Sequence, residues 1–222
     1  MSIDSNLQRI KPLIDSYQAN LIAVTKTRSI QELLEVYKFG IKKFGENRVQ
    51  ELLEKQAHFK DVEWHLIGHL QTNKVKYIAP FIHLIHSVDS FKLLKEINKQ
   101  AEKNNRIIHC LLQMFIAKEE TKFGLDQNEL LAILNKEELI TLKNIKIIGL
   151  MGMASLTNQE EQIHNEFASL KTLYDKLKNK ELTYLDIPQI EWKELSMGMS
   201  GDYPIALKNG STLVRVGSAI FQ

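Results

Sequence analysis

The stretch from Leu21 to Leu53, LIAVTKTRSIQELLEVYKFGIKKFGENRVQELL, decides the fold. It opens on Leu21 to Val24, a short apolar run of the kind that makes a buried strand. Ser29 then precedes Glu32 at the spacing of a capping box, in which each side chain accepts the other residue's backbone N–H and a helix starts. Leu33, Leu34 and Tyr37 supply that helix with an apolar face, and Gly40 is its stop signal. A second strand near 42 to 45 and a helix from Arg48 follow at once. One strand and helix unit runs directly into the next.

The alternation continues in both directions. Upstream, Ile3, Leu7, Ile10, Ile14 and Tyr17 share one face of an N-terminal helix. Downstream, strands near 63 to 67, 83 to 88 and 107 to 115 are followed in turn by a short helix before Pro80, a helix from Phe91 and one begun by Asp126 and Glu129. Ile145 to Met151 leads to a helix begun by Thr157 and Glu160, with Ile163, Phe167, Leu170, Tyr174 and Leu177 on its apolar face. Glu194 to Met197 and a short helix ending at Gly210 precede a last strand, Thr212 to Val216. The connection around Glu181 to Glu191, which contains Pro188, reads as a surface excursion. About eight such repeats imply a parallel sheet, and eight is the number at which it closes into a (β/α)8 TIM barrel. The expectation is an α/β protein, one barrel domain over residues 1–222 with an N-terminal helix; a doubly wound open sheet is the alternative.

Composition narrows the partners. Hydrophobic residues make up 44% and charged residues 25%, which suits a packed globular core. The 29 basic and 27 acidic residues are interspersed, so no basic field exists to grip a nucleic acid. The single cysteine, Cys110, lies in an apolar run and has no disulfide or thiolate-cluster partner. No apolar run reaches the roughly 18 residues of a membrane span, and the polar start MSIDSNLQRI is no secretory signal. These features predict a soluble, cytoplasmic protein.

In such a barrel, chemistry sits where strands end and loops begin. The first strand delivers Lys26, with its stem against barrel core and its ammonium partly desolvated, which favours a nucleophilic amine able to form a Schiff base. The alternative is a lysine that snorkels into water. On the far side of the barrel, the glycine and serine loops after the last two strands occupy the usual phosphate position, with Ser200 opening a short helix and Gly217 admitting close approach of backbone N–H groups. The alternative there is a turn and a cap. Arg215, two residues before Gly217 on the same strand face, reaches either a ring nitrogen or a barrel carboxylate such as Glu46 or Glu194. Asn47 caps a helix with Gln50, a position from which it also reaches a ligand. Met151, Met153, Met197 and Met199 pack in the core or line the face of a planar ring. A metal reading of His65 with His69, or His83 with His86, is rejected, because helix-face spacing on predicted strands and loops does not make a ligand pair. No Walker or dinucleotide glycine motif is present.

The segments LIAVTKT (21–27), FGENRVQE (44–51), WHLIGHLQTNK (64–74), HSVDS (86–90), GLMGM (149–153), LSMGMSGD (195–202) and VRVGSAIF (214–221) together resemble the pyridoxal phosphate homeostasis proteins, the YggS/PROSC group. The resemblance runs in order over essentially the whole chain. It implies the barrel of the alanine racemase superfamily, with pyridoxal 5′-phosphate (PLP) held on Lys26 and its phosphate near Ser200, Gly217 and Ser218. It also implies that Arg215 faces the pyridine nitrogen and that Asn47 and the methionines after strand six, Met151 and Met153, line the pocket. The family's polar residue after the fifth strand is replaced, on this reading, by Phe115, and the chain stops at Gln222 where the family continues through a glycine.

The choice between binder and catalyst follows from chemistry. Racemisation needs proton donors on both faces of a carbanion, and the racemases take the second from another domain and subunit, which this sequence does not supply. An arginine at the ring nitrogen leaves the pyridine a poor electron sink. The expected function is therefore PLP homeostasis without strong catalysis, the cofactor being buffered or delivered to PLP-dependent apo-enzymes by a monomer. A PLP-dependent amino acid racemase is the alternative, and a Schiff-base aldolase is a third reading.

Overall fold

The computed structural model describes residues 2–117 and 123–222. The expected apolar runs form β1 (Asn20–Val24), β2 (Lys43–Glu46), β3 (Glu63–Leu66), β4 (Leu84–Val88), β5 (Ile108–Met114), β6 (Ile145–Gly152), β7 (Ile190–Ser196) and β8 (Leu213–Val216). Neighbours in sequence pair in parallel, and β8 returns to pair with β1 in a register running from Asn20 opposite Leu213 to Ala23 opposite Val216. The sheet is a closed barrel, which removes the open-sheet alternative. Closure also corrects a spatial expectation: the loops after β7 and β8 are not across the barrel from Lys26 but on its own side.

Nine helices among the described residues accompany the strands: α1 (Ile3–Ser16), α2 (Ile30–Lys38), α3 (Val49–Gln56), α4 (Val75–Ile78), α5 (Phe91–Lys103), α6 (Gln127–Leu134), α7 (Glu160–Lys178), α8 (Tyr203–Lys208) and α9 (Ser218–Phe221). The capping boxes Ser29 with Glu32 and Asp126 with Glu129 are both formed in full. Two expected caps are not. Helix α3 starts behind Arg48 rather than Asn47, and α7 starts behind Gln159, while Thr157 Oγ1 accepts from the Gln159 N–H at 3.2 Å in the turn before it. Strand β7 begins four residues earlier than its apolar run suggests, because charged Glu191, Lys193 and Glu194 interrupt the pattern while Trp192 and Leu195 stay buried.

Strand alternation divides the core in two. Ile22, Leu84, Leu111, Ile148, Met151 and Leu213 form an inner layer within the barrel. Their neighbours Leu21, Ala23, Ile85 and Leu112 face the helices in one cluster that extends from Ile3 to Ile220. Helix α1 joins it through Leu7, Ile10 and Ile14, and Asn6 Nδ2 donates to the carbonyls of Ile220 at 3.0 Å and Gln222 at 2.9 Å. The ends of the chain are thereby held together beneath β1 and β8.

Gly149 is where β6 bends. The pairing register shifts beside it toward both β5 and β7, and a Cβ there would lie 1.8 Å from the Glu194 carbonyl oxygen. Backbone on both sides cannot yield as a flexible side chain would. Gly149→Ala should therefore cost about 3 kcal/mol, read as a lowered urea midpoint at an unchanged slope.

Candidate active-site cavity

A cavity of about 620 Å³ opens at the C-terminal ends of the strands, and Lys26, Asn47, Ser200, Arg215, Gly217 and Ser218 all line it. Six residues expected at the site are thus brought together. Met151 is not, because β6 continues to Gly152 and keeps Met151 fully buried in the inner layer. Met153, the other methionine expected after strand six, lies beyond the strand end and does line the cavity, together with Met199.

Lys26 is exposed at the cavity rim, contrary to the expectation of a partly desolvated amine. Strand β1 ends at Val24, and the chain has left the barrel by the time it reaches the lysine. The backbone on both sides is held firmly. Lys55 Nζ, buried on α3, donates to the Thr25 carbonyl at 2.6 Å and pairs with Glu46 at 2.7 Å, and Thr25 Oγ1 donates to the same carboxylate at 2.5 Å. Burial holds the Glu46 carboxyl above the usual carboxylate range, against the lowering effect of Lys55 and Thr25. On the other side the Thr27 N–H donates to Glu51 Oε2 at 2.8 Å, and Thr27 has φ of +60°, an uncommon conformation for a β-branched residue. A strained residue persists where its surroundings dictate the conformation. Here they fix where the Lys26 side chain departs.

Beside Lys26, the loop after β8 presents two backbone donors to one oxygen. The N–H groups of Gly217 and Ala219 converge on Ser200 Oγ at 3.0 and 3.3 Å. Such convergence is the geometry of an anion nest. Gly217 permits the close approach to β1, since a Cβ would lie 3.3 Å from both Val24 Cβ and its carbonyl oxygen. Contrary to expectation, Ser200 does not open a helix: α8 starts behind Asp202, and Ser200 lies in the turn before it.

Arg215 is buried and bonds to no carboxylate. Its guanidinium donates to Ser196 Oγ and, at 3.0 Å, to the Gly152 carbonyl. Glu46 is engaged by Lys55 and Thr25, and Glu194 by Thr212, so the carboxylate alternative for Arg215 falls. Burial lowers the Arg215 pKa to about 10, which leaves it a cation at neutral pH. Behind it Ser196 Oγ shares a hydrogen bond with His86 Nδ1 at 2.9 Å, and His86 Nε2 shares one with His65 Nδ1 at 2.8 Å. Burial pushes both imidazoles well below their ordinary range, helped by the charges of His83 and Lys43 near His65 and of His65 and Arg215 near His86. A line of polar groups therefore runs from the cavity floor down through the barrel.

Three further lining residues were not singled out as ligand contacts from sequence. Gln113 of β5 faces the cavity, and its Nε2 donates to the Phe123 carbonyl at 2.8 Å. Gln113 thus supplies a polar group near the end of the fifth strand, while Phe115 is exposed outside this cavity. Phe123 stacks on His69 with ring centroids 5.3 Å apart, and His69 lies 3.4 Å from Asp89. The signal for His69 was its place just after β3; for Phe123, which precedes the Gly124 turn, there was none.

A closed barrel with a lysine after β1 and an oxygen-binding loop after β8 defines a recognisable class. The family model described as alanine racemase, N-terminal domain, matches residues 1–222. The pyridoxal phosphate homeostasis protein of Aquifex aeolicus is 38% identical over 91% of this chain and 86% of its own, and that of Homo sapiens is 37% identical over 94% and 78%. The chain belongs to the pyridoxal phosphate homeostasis protein family. Among solved structures, PipY of Synechococcus elongatus with PLP bound superposes with a TM-score of 0.88 at 34% identity, covering all of both chains. An alanine racemase of Clostridium difficile shares the fold, with a TM-score of 0.78 at 15% identity over 99% of this chain and 58% of that one.

Two outcomes follow from the buried polar groups. Lys55→Met strands Glu46 among apolar neighbours and should cost about 3 to 5 kcal/mol in chemical denaturation, with Glu46→Gln in the same chain recovering part of the loss. Below about pH 6.5, the ordinary histidine value, the unfolded chain takes up protons that buried His65 and His86 refuse. Stability should therefore fall with pH, approaching about 1.4 kcal/mol per pH unit for each histidine. Urea unfolding between about pH 7 and pH 5 should show a slope smaller by about that single share in His86→Gln.

Proposed function

We propose that this chain binds PLP in the cavity, with Lys26 as a reversible covalent tether, and serves to buffer or deliver the cofactor. The observation that carries the reading is the adjacency of Lys26 to the converging N–H groups of Gly217 and Ala219, on strands β1 and β8 that pair with each other. PLP bears its aldehyde and its phosphate on neighbouring ring carbons, and a site for both must have an amine and an anion nest side by side. When bound, PLP supplies an aldehyde that a lysine amine takes up as a Schiff base with loss of water, attached to a ring that can withdraw electrons. Ser200, Gly217 and Ser218 hold the phosphate, and Arg215 donates from the cavity floor toward the ring nitrogen. Asn47 and Met153 line the cavity beside it, with Met151 packed behind as part of the floor's support.

The names of the relatives and PipY's bound PLP support a binder. So does Arg215, since a cation at the ring nitrogen opposes its protonation and keeps the ring a weak electron sink. The holder acts in the cytoplasm, as the buried, unpaired Cys110 and the absence, among the described residues, of a helix long and apolar enough to span a membrane both support. It is monomeric, in keeping with exposed large apolar side chains that are spread over the molecule, Leu13 on α1 and Tyr77 on α4 among them. PLP-dependent apo-enzymes are the recipients.

Purified protein should be yellow, and borohydride reduction followed by peptide mass spectrometry should find the pyridoxyl group on Lys26. Lys26→Ala should lose both the colour and the adduct; a yellow Lys26→Ala protein, or a colourless parent, would defeat the reading. Holoprotein incubated with single-enantiomer amino acids in deuterated water should show no exchange at Cα at catalytic rates, and rapid exchange would make it an enzyme instead.

A further inference from the structure

At the opposite end of the barrel, the polar line that begins at Arg215 ends in an unused nitrogen. His65 is 2% exposed, its Nδ1 is shared with His86, and its Nε2 is buried with no hydrogen-bond partner. Leaving such a nitrogen unpaired costs about 1 to 3 kcal/mol. Around it stand Glu63, first residue of β3 and on the same strand face as His65, and His83, just before β4. One ligand atom from each of Glu63, His65 and His83 lies within 4.8 Å of the other two.

We propose that Glu63, His65 and His83 form a site for a divalent transition metal of zinc's class at the N-terminal mouth of the barrel. Two imidazoles and a carboxylate are a donor set that such ions take, and three protein ligands leave a fourth position for water. The site has a sealed wall and an open one. His65 is enclosed, whereas the side chains of Glu63 and His83 keep 40% and 44% of their exposure, which provides an entry path. The hydrogen bonds that would orient His65 are already in place. A metal on His65 Nε2 requires the proton on Nδ1, from which it is donated to His86 Nε2; His86 then donates from Nδ1 to Ser196 Oγ, which also accepts from Arg215. Ligating histidines characteristically make this kind of outward donation, and it orients and fixes their rings. The opposite direction of the chain would leave a buried N–H at Nε2 with no acceptor.

The metal must compete with one resident cation. Lys43 Nζ, at the start of β2, lies 2.5 Å from Glu63 Oε2, while His83 Nε2 lies 3.6 Å from that same oxygen. Lys43 retains 30% of its side-chain exposure, so its ammonium can turn out to water when the carboxylate takes a metal. Helix-type spacing within the chain could not have found this set, because it joins residue 65 to residue 83 across two strands and not to residue 69.

The test needs no assumption about the cofactor cavity. Full-length protein, stripped of metal and titrated with zinc chloride in a calorimeter, should bind one zinc per chain, confirmed by elemental analysis after dialysis. His83→Ala and Glu63→Gln, both at partly exposed positions, should each weaken binding by about tenfold or more, and the double variant should lose it. Lys43→Met, which frees Glu63, should tighten it severalfold. Thermal melts of each variant establish that a loss of zinc is not a loss of fold. No stoichiometric zinc, or zinc held with parent affinity by a folded double variant, would overturn the proposal; the second result would point to a different pair, such as His69 with Asp89.

Discussion

Everything at the cavity depends on the pairing of β8 with β1. In an open sheet these would be opposite edges, and the amine of Lys26 and the N–H groups of Gly217 and Ala219 would be separated by the width of the molecule. Closure makes them neighbours, with Gly217 near van der Waals contact with Val24. The same closure brings the ends of the chain together, so that Asn6 on α1 can bond to the last carbonyls, Ile220 and Gln222. Helix α9, which begins beside the Ser200 hydroxyl that accepts from Gly217 and Ala219, is therefore braced from beneath by the first helix of the chain.

Closure places the loops; buried polar pairs set their shape. A buried ion pair such as Lys55 with Glu46 need not add net stability, because desolvation offsets much of the attraction. What it does here is geometric. Lys55 reaches one carboxylate and one carbonyl from α3, and both partners lie at the ends of strands that neighbour each other, β1 and β2. With Glu51 accepting from Thr27 on the other side, two residues flanking Lys26 are fixed while the lysine itself is left exposed and free to turn.

The fold was legible in the chain because a barrel of this kind repeats a local pattern: an apolar run, a cap, an amphipathic helix, a stop. Ser29 with Glu32 and Asp126 with Glu129 are sequence-local, and they formed as their spacing implied. The failures have local causes too. Asn47 and Thr157 have capping spacing, but the backbone starts its helices one or two residues later, which frees Asn47 to face the cavity. Met151 and Met153 differ only in which side of the strand's end they fall, a boundary that a hydrophobic run through Met153 does not mark. What no local pattern encodes is which residues meet across strands. The partner of Arg215 is Ser196 and not a carboxylate, and the partner of His65 is His86.

That interior chain bears on why a barrel should carry polar groups through its centre at all. An inner layer of Ile22, Leu84, Leu111, Ile148 and Leu213 would be cheaper to build from apolar residues throughout, because every buried polar atom must find a partner. Arg215 bonds to no carboxylate at the cavity floor, and its guanidinium is satisfied by neutral oxygens, Ser196 Oγ and the Gly152 carbonyl. Ser196 then needs a partner of its own and takes His86, which takes His65. The unmet demand passes from β8 to β7, across the barrel to β4 and on to β3, where it ends at His65 Nε2, buried and without a partner.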